Sequence, residues 1–216
     1  MKSIITVQPT QSVHHTNGRV GSWTDWDLTE LGRNQADNIG KNLKAELEGK
    51  DVILYSSDLK RAAQTAEEIA KYLGTEPVFR HELRERNLGK CCGKSVQWLR
   101  ENIECEEKTV DDRMFSDGES KRDCWNRLRP FYEEIMASDD ENIIIVSHGD
   151  LLSLWNAMYL GLPVESFYDV DIHGPAGGVS HFYIGEYGKH KVRHINDMYY
   201  STVFQTKQIQ AACKTD

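Results

Sequence analysis

Three clusters of polar residues could together bind an anion, because each directly follows a short apolar run. They are Gln8-Pro9-Thr10, Ser56-Ser57-Asp58 with Arg61 close behind, and Ser147-His148-Gly149. Short apolar runs rich in β-branched residues are typical of buried strands. In a parallel α/β sheet, ligands bind beyond the carboxyl ends of the strands. Helix capping and turns explain each cluster taken alone, but three clusters at one edge favour a binding site.

Arg61 and His148 are the side chains best suited to an anion. Arg61 follows the cap residues of a predicted helix, where unpaired backbone N–H groups and the helix dipole attract negative charge. Its guanidinium would add a bidentate fork that matches phosphate oxygens, although an ion pair with Glu68 is a simpler alternative. His148 follows four apolar β-branched residues, so a buried core histidine is an equally good interpretation.

The elements that would position these residues alternate between strands and helices. Apolar residues four apart predict helices over 31–47 and 59–73, and further helices are predicted over 151–160 and over 119–137 with a bend at Pro130. A loop is predicted from residue 8 to about Leu28. Residues 181–184 and 191–195 flank a turn at Gly188 and predict a hairpin. The predicted fold is α/β, a mostly parallel sheet with helices on both faces and a C-terminal edge hairpin.

Length and composition favour a single domain over residues 1–216, with a polar stretch from about 201 that predicts little. The net charge is −8 and the pI is near 5.5, which argues against binding to nucleic acid or to an anionic membrane. No apolar run is long enough for a secretory signal or a membrane span, so we expect a cytoplasmic protein. The five cysteines lack a regular spacing and are expected to be free thiols.

Five segments of the chain carry motifs in a fixed order. They are 18–32 with its Gly18-Arg19 start, 56–66 around Arg61, 83–94 around Glu85, 118–120 (Gly-Glu-Ser) and 146–149 (Val-Ser-His-Gly). In this order they resemble the phosphoglycerate-mutase-like branch of the histidine phosphatase superfamily. One such match would be weak, but five at sensible spacing are specific, and they cover most of the chain. The resemblance implies the same α/β fold.

The resemblance also implies phosphomonoester hydrolysis through a phosphohistidine. In the family, a histidine after the first strand accepts the phosphoryl group and passes it to water or another hydroxyl, which divides one hard displacement into two easier steps. Glu85 matches the acid that protonates the leaving oxygen, and arginines with a second histidine, here His148, hold the dianion. The positions assigned to phosphate are Gln8, Thr10, His15, Arg61, His148 and Gly149, and those that shape the substrate side are His14, Arg19 and Trp23. No metal or other cofactor is implied.

Pro9 is the main departure from the family. The family's Arg-His-Gly triplet falls on Gln8-Pro9-Thr10, so a proline occupies the position of the nucleophilic histidine. Proline has neither a nucleophilic side chain nor a backbone N–H, and Gln8 lacks the positive charge of the arginine. His14 and His15 are the obvious substitutes. In extended backbone, however, neighbouring side chains point to opposite sides, so at most one is expected to face the site, as a ligand contact and not as a nucleophile.

The favoured hypothesis is a phosphatase scaffold that binds a small phosphorylated metabolite or inorganic phosphate and has lost most or all turnover. A phosphoglycerate-mutase-type phosphotransferase is disfavoured, because such mutases carry a long insertion where the segment between Glu85 and Gly118 is short. A pseudoenzyme that senses a phosphorylated ligand or binds a protein partner is a second hypothesis. A metal-dependent hydrolase built on His14, His15 and His148 is a third, and the lack of a histidine pair at i, i+4 argues against it.

Overall fold

A six-stranded sheet forms the centre of the computed structural model, which describes residues 1–202. The strands are β1 (Lys2–Val7), β2 (Ile53–Ser56), β3 (Pro77–Phe79), β4 (Asn142–Val146), β5 (Val179–Ile184) and β6 (His190–Asp197). Their order across the sheet is β3-β2-β4-β1-β5-β6. The first four strands pair in parallel, and β5 pairs antiparallel with both β1 and β6. The predicted mostly parallel sheet with a C-terminal hairpin at its edge is confirmed.

Helices pack on both faces of this sheet. The α-helices of the described residues are α1 (His14–Asn17), α2 (Glu30–Glu46), α3 (Lys60–Leu73), α4 (Val96–Asn102), α5 (Lys121–Ala137) and α6 (Gly149–Leu160). Successive side chains of a strand point to opposite faces. In β4, Ile143 and Ile145 pack with residues of α5 and α6, whereas Ile144 and Val146 pack with residues of α2 and α3. This burial on both faces explains the unbroken apolar run from Ile143 to Val146 in β4.

The packing of α2 differs from the sequence prediction. Leu31, predicted on the buried face, is 43% exposed, and Gly32 faces inward instead. A Cβ at Gly32 would lie 1.9 Å from the carbonyl oxygen of Gln11, so only a glycine lets the helix approach the loop this closely. This approach brings the start of α2 against the loop that follows β1. Further along the helix, Ile39 and Leu43 are buried, as their spacing predicts.

Two short elements do not follow from the sequence pattern. The loop predicted from residue 8 to about Leu28 contains the single turn of α1. The edge strand β3 has only three residues and begins with Pro77, a residue that is tolerated at the edge of a sheet but gives no strand signal. Pro130 lies inside α5, as predicted.

The remaining predictions concern the membrane, the cysteines and the C-terminal stretch. Within residues 1–202, no helix is both long enough and apolar enough to cross a bilayer. Four cysteines fall in this range and all four are free, which agrees with the prediction for them: Cys91, Cys92, Cys105 and Cys124. The polar stretch predicted from about 201 lies, beyond Thr202, outside the described residues.

Candidate active site

The carboxyl ends of β1, β2 and β4 meet at one edge of the sheet beside a cavity of about 200 Å³. We call it the strand-end cavity. Its lining residues are Gln8, Pro9, His14, His15, Val20, Gly21, Ser22, Arg61, Glu85, Leu88, His148, Gly149 and Asp150. One or more residues from each of the three polar clusters therefore line a single cavity, because parallel neighbouring strands end at the same edge.

Arg61 supplies the positive charge of the strand-end cavity. It lies in the first turn of α3 and is 3% exposed. Its Nη1 and Nη2 atoms donate to the carbonyl oxygens of Thr24 and Ser22, both at 3.0 Å, which fixes the guanidinium against the loop. The alternative ion pair with Glu68 is wrong, because Glu68 pairs with Lys71 at 2.5 Å. Burial lowers the pKa of Arg61, but a guanidinium stays protonated in proteins, so its charge is available to an anion.

His148 is buried at the start of α6 but carries no charge. It is the N-cap residue of that helix, and its Nε2 atom lies 2.8 Å from Ser57 Oγ. Burial, followed by the charge of Arg61, holds the pKa of His148 well below its usual value. The imidazole is therefore neutral, and it could contact a phosphate through a hydrogen bond but not as a cation. The first backbone N–H groups of α6, beginning at Gly149, lie beside it and favour an anion.

Glu85 is held from both its backbone and its side chain. Its carbonyl oxygen accepts hydrogen bonds from Trp23 Nε1 at 2.6 Å and from Arg127 Nη2 at 3.0 Å. Its carboxylate Oε1 accepts from the backbone N–H groups of Arg86 at 2.9 Å and Leu151 at 3.3 Å. These contacts aim the carboxyl group into the cavity.

The pKa of Glu85 is raised to about 7. Burial is the largest cause and the nearby Asp150 carboxylate adds to it, while Arg61 opposes the shift. Two further glutamates are paired elsewhere and do not line the cavity: Glu82 with Arg80 at 3.4 Å and Glu119 with Arg127 at 2.8 Å. A carboxyl group that titrates near 7 can give up a proton at neutral pH, as a general acid must.

Gln8 and Pro9 line the cavity at the end of β1. The backbone of both residues is tied to the loop before β5, since Gln8 N donates to the Gly178 carbonyl oxygen at 2.9 Å and Gly177 N donates to the Pro9 carbonyl oxygen at 3.2 Å. Gln8 is 8% exposed. Its amide can offer hydrogen bonds to a ligand, whereas Pro9 offers the ligand neither a nucleophile nor a donor.

The expectation that at most one of His14 and His15 faces the site is wrong. Both line the cavity, with ring centroids 3.9 Å apart. The premise of extended backbone fails because the two residues begin α1, and neighbours on a helix are about 100° apart instead of opposite. Ser12 fixes both rings: its hydroxyl lies 2.7 Å from His14 Nδ1, and its backbone N–H donates to His15 Nδ1 at 3.0 Å.

Neither of these histidines adds charge to the cavity at neutral pH. The pKa of His14 is lowered to about 3, mainly by burial and then by His15 and Arg61. Burial and Arg61 also lower the pKa of His15. Both rings are neutral hydrogen-bonding groups, so Arg61 is the cation of the described lining.

Three residues assigned to the site by resemblance lie outside the cavity lining. Thr10 is fully buried, and its backbone N–H and hydroxyl both contact Thr65 Oγ1, at 3.2 and 3.3 Å. Arg19 is exposed and donates to the Gly93 carbonyl oxygen at 2.9 Å. Trp23 donates a hydrogen bond from its Nε1 atom to the Glu85 carbonyl oxygen. We expect these three residues to hold the walls of the site and not the ligand.

Sequence reasoning missed other lining residues, notably Ser22 and Asp150. Ser22 has a φ of 48°, a strained conformation for a residue with a side chain. Its hydroxyl donates to the Arg86 carbonyl oxygen at 2.7 Å and accepts from Leu88 N at 2.8 Å, which offsets that strain. In the sequence, the Gly21-Ser22 pair could have indicated a tight turn at this position. Asp150 could have been found from its place after His148-Gly149. Within residues 1–202, no group of three or more His, Cys, Asp or Glu side chains is arranged to hold a metal ion.

Comparison with known proteins gives matches over most of the chain. The family profile described as Histidine phosphatase superfamily (branch 1) matches residues 10–197. The chain is 29% identical over 196 residues to a putative phosphoserine phosphatase 2 from Hydrogenobacter thermophilus, which covers 85% of this chain and 90% of that protein. It is 31% identical over 177 residues to a 2,3-bisphosphoglycerate-dependent phosphoglycerate mutase from Bartonella bacilliformis, with coverage of 76% and 84%.

Solved structures share the fold at lower identity. The native structure of a mycobacterial glucosyl-3-phosphoglycerate phosphatase has a TM-score of 0.77 at 23% identity and covers 90% of this chain and 98% of its own. YhfR from Bacillus stearothermophilus has a TM-score of 0.79 at 22% identity, with coverage of 94% and 100%. A histidine-to-alanine mutant of phosphoserine phosphatase from Entamoeba histolytica, in complex with phosphoserine, has a TM-score of 0.75 at 20% identity, with coverage of 93% and 99%. These likenesses establish the architecture.

Proposed function

The chain belongs to the histidine phosphatase superfamily (branch 1), and we propose that it binds phosphate monoesters in the strand-end cavity without the family's phosphohistidine step. One observation carries the proposal: Pro9 lines the same cavity as Arg61, Glu85 and His148. Groups suited to binding an anion and to supplying a proton therefore surround a position that has no nucleophile.

The binding half of the proposal rests on Arg61 and the start of α6. Arg61 is buried and has no carboxylate partner among the described residues, so its charge can serve a ligand. The neutral rings of His14, His15 and His148 and the N-terminus of α6 add hydrogen-bond donors around it. Because Gln8 replaces an arginine of the family pattern, we expect weaker phosphate binding than in a pocket with two arginines.

The ligand class is supported by the named relatives. The names of those proteins refer to phosphoserine, phosphoglycerate and glucosyl-3-phosphoglycerate, all of which are phosphate monoesters. A relative with this fold holds phosphoserine although one of its histidines has been changed to alanine. We infer that a small phosphorylated metabolite or inorganic phosphate is the ligand of this chain as well.

A pseudoenzyme that senses such a ligand is the form of this function that Pro9 favours. With no phosphoryl acceptor at position 9, the hydrolysis of the family needs a different residue to form the covalent intermediate. A mutase activity would need the same acceptor. Both activities are therefore expected to be at or near background in this chain.

Calorimetric titration with inorganic phosphate and an assay with 4-nitrophenyl phosphate test the proposal together. We expect the unmodified chain to bind phosphate and to release nitrophenol at the uncatalysed rate. Arg61→Ala should weaken phosphate binding by about tenfold to hundredfold, since a hydrogen bond to a charged group contributes about 1.5–3 kcal/mol.

Two further variants make this test specific. Arg61→Lys keeps the charge without the bidentate fork and should retain part of the affinity. Arg129→Ala removes an exposed arginine of α5 outside the cavity lining and should change nothing. Unchanged phosphate binding in Arg61→Ala would contradict the proposal, and so would turnover of the unmodified chain well above background.

A further inference from the structure

Asp150 places a partly exposed carboxylate in the lining of the strand-end cavity. It lies in the first turn of α6, lines the cavity, and keeps 43% of its side chain exposed. Its Oδ2 atom lies 3.3 Å from Arg86 Nε, and its Oδ1 atom lies 3.7 Å from His173 Nδ1. The carboxylate is therefore held at the rim and stays open to a ligand.

Arg86 does not cancel this negative charge, because it already holds another carboxylate. Its Nη1 and Nη2 atoms donate to the two carboxylate oxygens of Glu107 at 2.7 and 3.3 Å, and its side chain is only 4% exposed. One arginine is thus shared between Glu107 and Asp150. Together Arg86, Glu107 and Asp150 carry one negative charge in excess, and Glu85 adds to it whenever it is ionised.

Three arginines around Glu85 and the loop after α1 also have partners already. Arg84 makes two hydrogen bonds to Asp58, at 2.7 and 2.6 Å. Arg127 makes two to Glu119, at 2.8 and 2.9 Å, and Arg19 donates to a backbone carbonyl oxygen. None of the three lines the cavity. A carboxylate on a ligand would therefore find no free cation in the described lining once the phosphate had occupied Arg61.

A ligand that has a second charged group besides its phosphate would bring that group close to Asp150. A carboxylate there would be repelled, whereas an ammonium group would form an ion pair with the exposed oxygens. We propose that the strand-end cavity selects phosphate monoesters of amino alcohols, with the phosphate on Arg61 and the ammonium on Asp150. This selectivity rests on the proposed function, because the phosphate must bind for the rest of the ligand to be compared.

Calorimetric titrations with three esters measure the selectivity. O-Phosphoethanolamine carries an ammonium group, ethyl phosphate has the same short chain without a charge, and 3-phosphoglycerate carries a carboxylate. Inorganic phosphate is the reference ligand. We expect O-phosphoethanolamine to bind about threefold to fivefold more tightly than ethyl phosphate, the range of a partly exposed ion pair, and 3-phosphoglycerate to bind more weakly than ethyl phosphate.

Asp150→Asn is the deciding variant. The Kd ratio of ethyl phosphate to O-phosphoethanolamine should fall to about 1 in Asp150→Asn. It should stay at its original value in Asp139→Asn, which removes an exposed acid before the amino end of β4. Phosphate binding with equal affinities for the three esters, or with tighter binding of 3-phosphoglycerate, would overturn the selectivity and leave the proposed function standing. A chain that binds neither inorganic phosphate nor any ester would overturn both.

Discussion

At the scale of single residues, Glu85 is the group of the cavity whose charge changes near neutral pH. Its pKa is raised to about 7, chiefly by burial. His14, with a pKa lowered to about 3, and His148, with a pKa well below its usual value, stay neutral there, and Arg61 stays charged. Above pH 7 the ionised Glu85 faces Arg61 and competes with a bound anion for it.

Sulfate binding should therefore weaken as pH rises through about 7. Sulfate is the suitable probe because its own charge does not change in this range. The protonated form of Glu85 favours the anion, so affinity is highest below the pKa and falls above it. A coupling of one pKa unit corresponds to about tenfold in Kd between pH 6 and pH 9.

Glu85→Gln supplies the control for this pH dependence. The glutamine keeps the size of the side chain but cannot ionise, so its sulfate affinity should vary little over the same range. Equal pH dependence in both proteins would show that another group is responsible.

Some cavity residues can be predicted from the sequence, namely those that come soon after the end of a predicted strand. Gln8, Arg61 and His148 all follow apolar runs, and all three line the cavity. The positions of His14 and His15 depend on the single turn of α1. This turn has only four residues and no apolar pattern, so the sequence does not predict it. The raised pKa of Glu85 depends on burial by segments that are distant in the chain, so it cannot be predicted from the residues around Glu85.

At the scale of elements, α5 links helix stability to the position of Glu85. The helix begins with a capping box, in which Ser120 Oγ accepts from Asp123 N at 3.0 Å and Asp123 Oδ2 accepts from Ser120 N at 2.8 Å. Further along the helix, Arg127 donates to the carbonyl oxygens of Glu82, Arg84 and Glu85. The α5 helix therefore fixes the segment that carries the acid.

Ser120→Ala should lower the free energy of unfolding by about 1 kcal/mol, the usual cost of losing a capping hydroxyl. For a chain of this length, that corresponds to a fall in Tm of about 2–4 °C. Ser166→Ala is the control, because Ser166 lies within the 3-10 helix Val164–Tyr168 and caps no α-helix. Chemical denaturation and thermal unfolding of the three proteins measure the effect, and equal stabilities would contradict the role of the cap.

The long helices follow from apolar periodicity, and the places where the prediction fails have a physical cause. At the start of α2, Gly32 faces inward in place of Leu31, because a glycine lets the helix approach the Gln11 carbonyl oxygen closely. The three-residue strand β3 lies at the sheet edge, where two of its residues are exposed and no apolar alternation is needed. Short or tightly packed elements are decided by tertiary contacts, which a sequence window does not contain.

At the scale of the whole molecule, the order of the strands creates the site. β4 lies between β1 and β2, so the residues that follow all three strands converge although they are far apart in the chain. The family profile matches residues 10–197, which include β2 and β4 and begin just after β1, Gln8 and Pro9. The scaffold is thus that of the family, and we propose that the departure from its chemistry lies at Gln8 and Pro9.

Turnover of 4-nitrophenyl phosphate by Pro9→His tests the central claim most directly, together with a search for an acid-labile phosphoenzyme. We expect the unmodified chain to show neither, and Pro9→His to show both, with a rate at least about 10²-fold higher. Removing a nucleophile costs roughly 10⁶-fold in a well-studied hydrolase, so partial recovery would suffice. Gln8→Arg added to Pro9→His should raise the rate further by returning positive charge to the transition state. A Pro9→His protein that binds phosphate but turns over nothing would fit the pseudoenzyme form of the proposed function and would show that the rest of the site has departed from the family's chemistry too. A phosphoenzyme on His14 or His15 of the unmodified chain, with turnover above background, would contradict the claim.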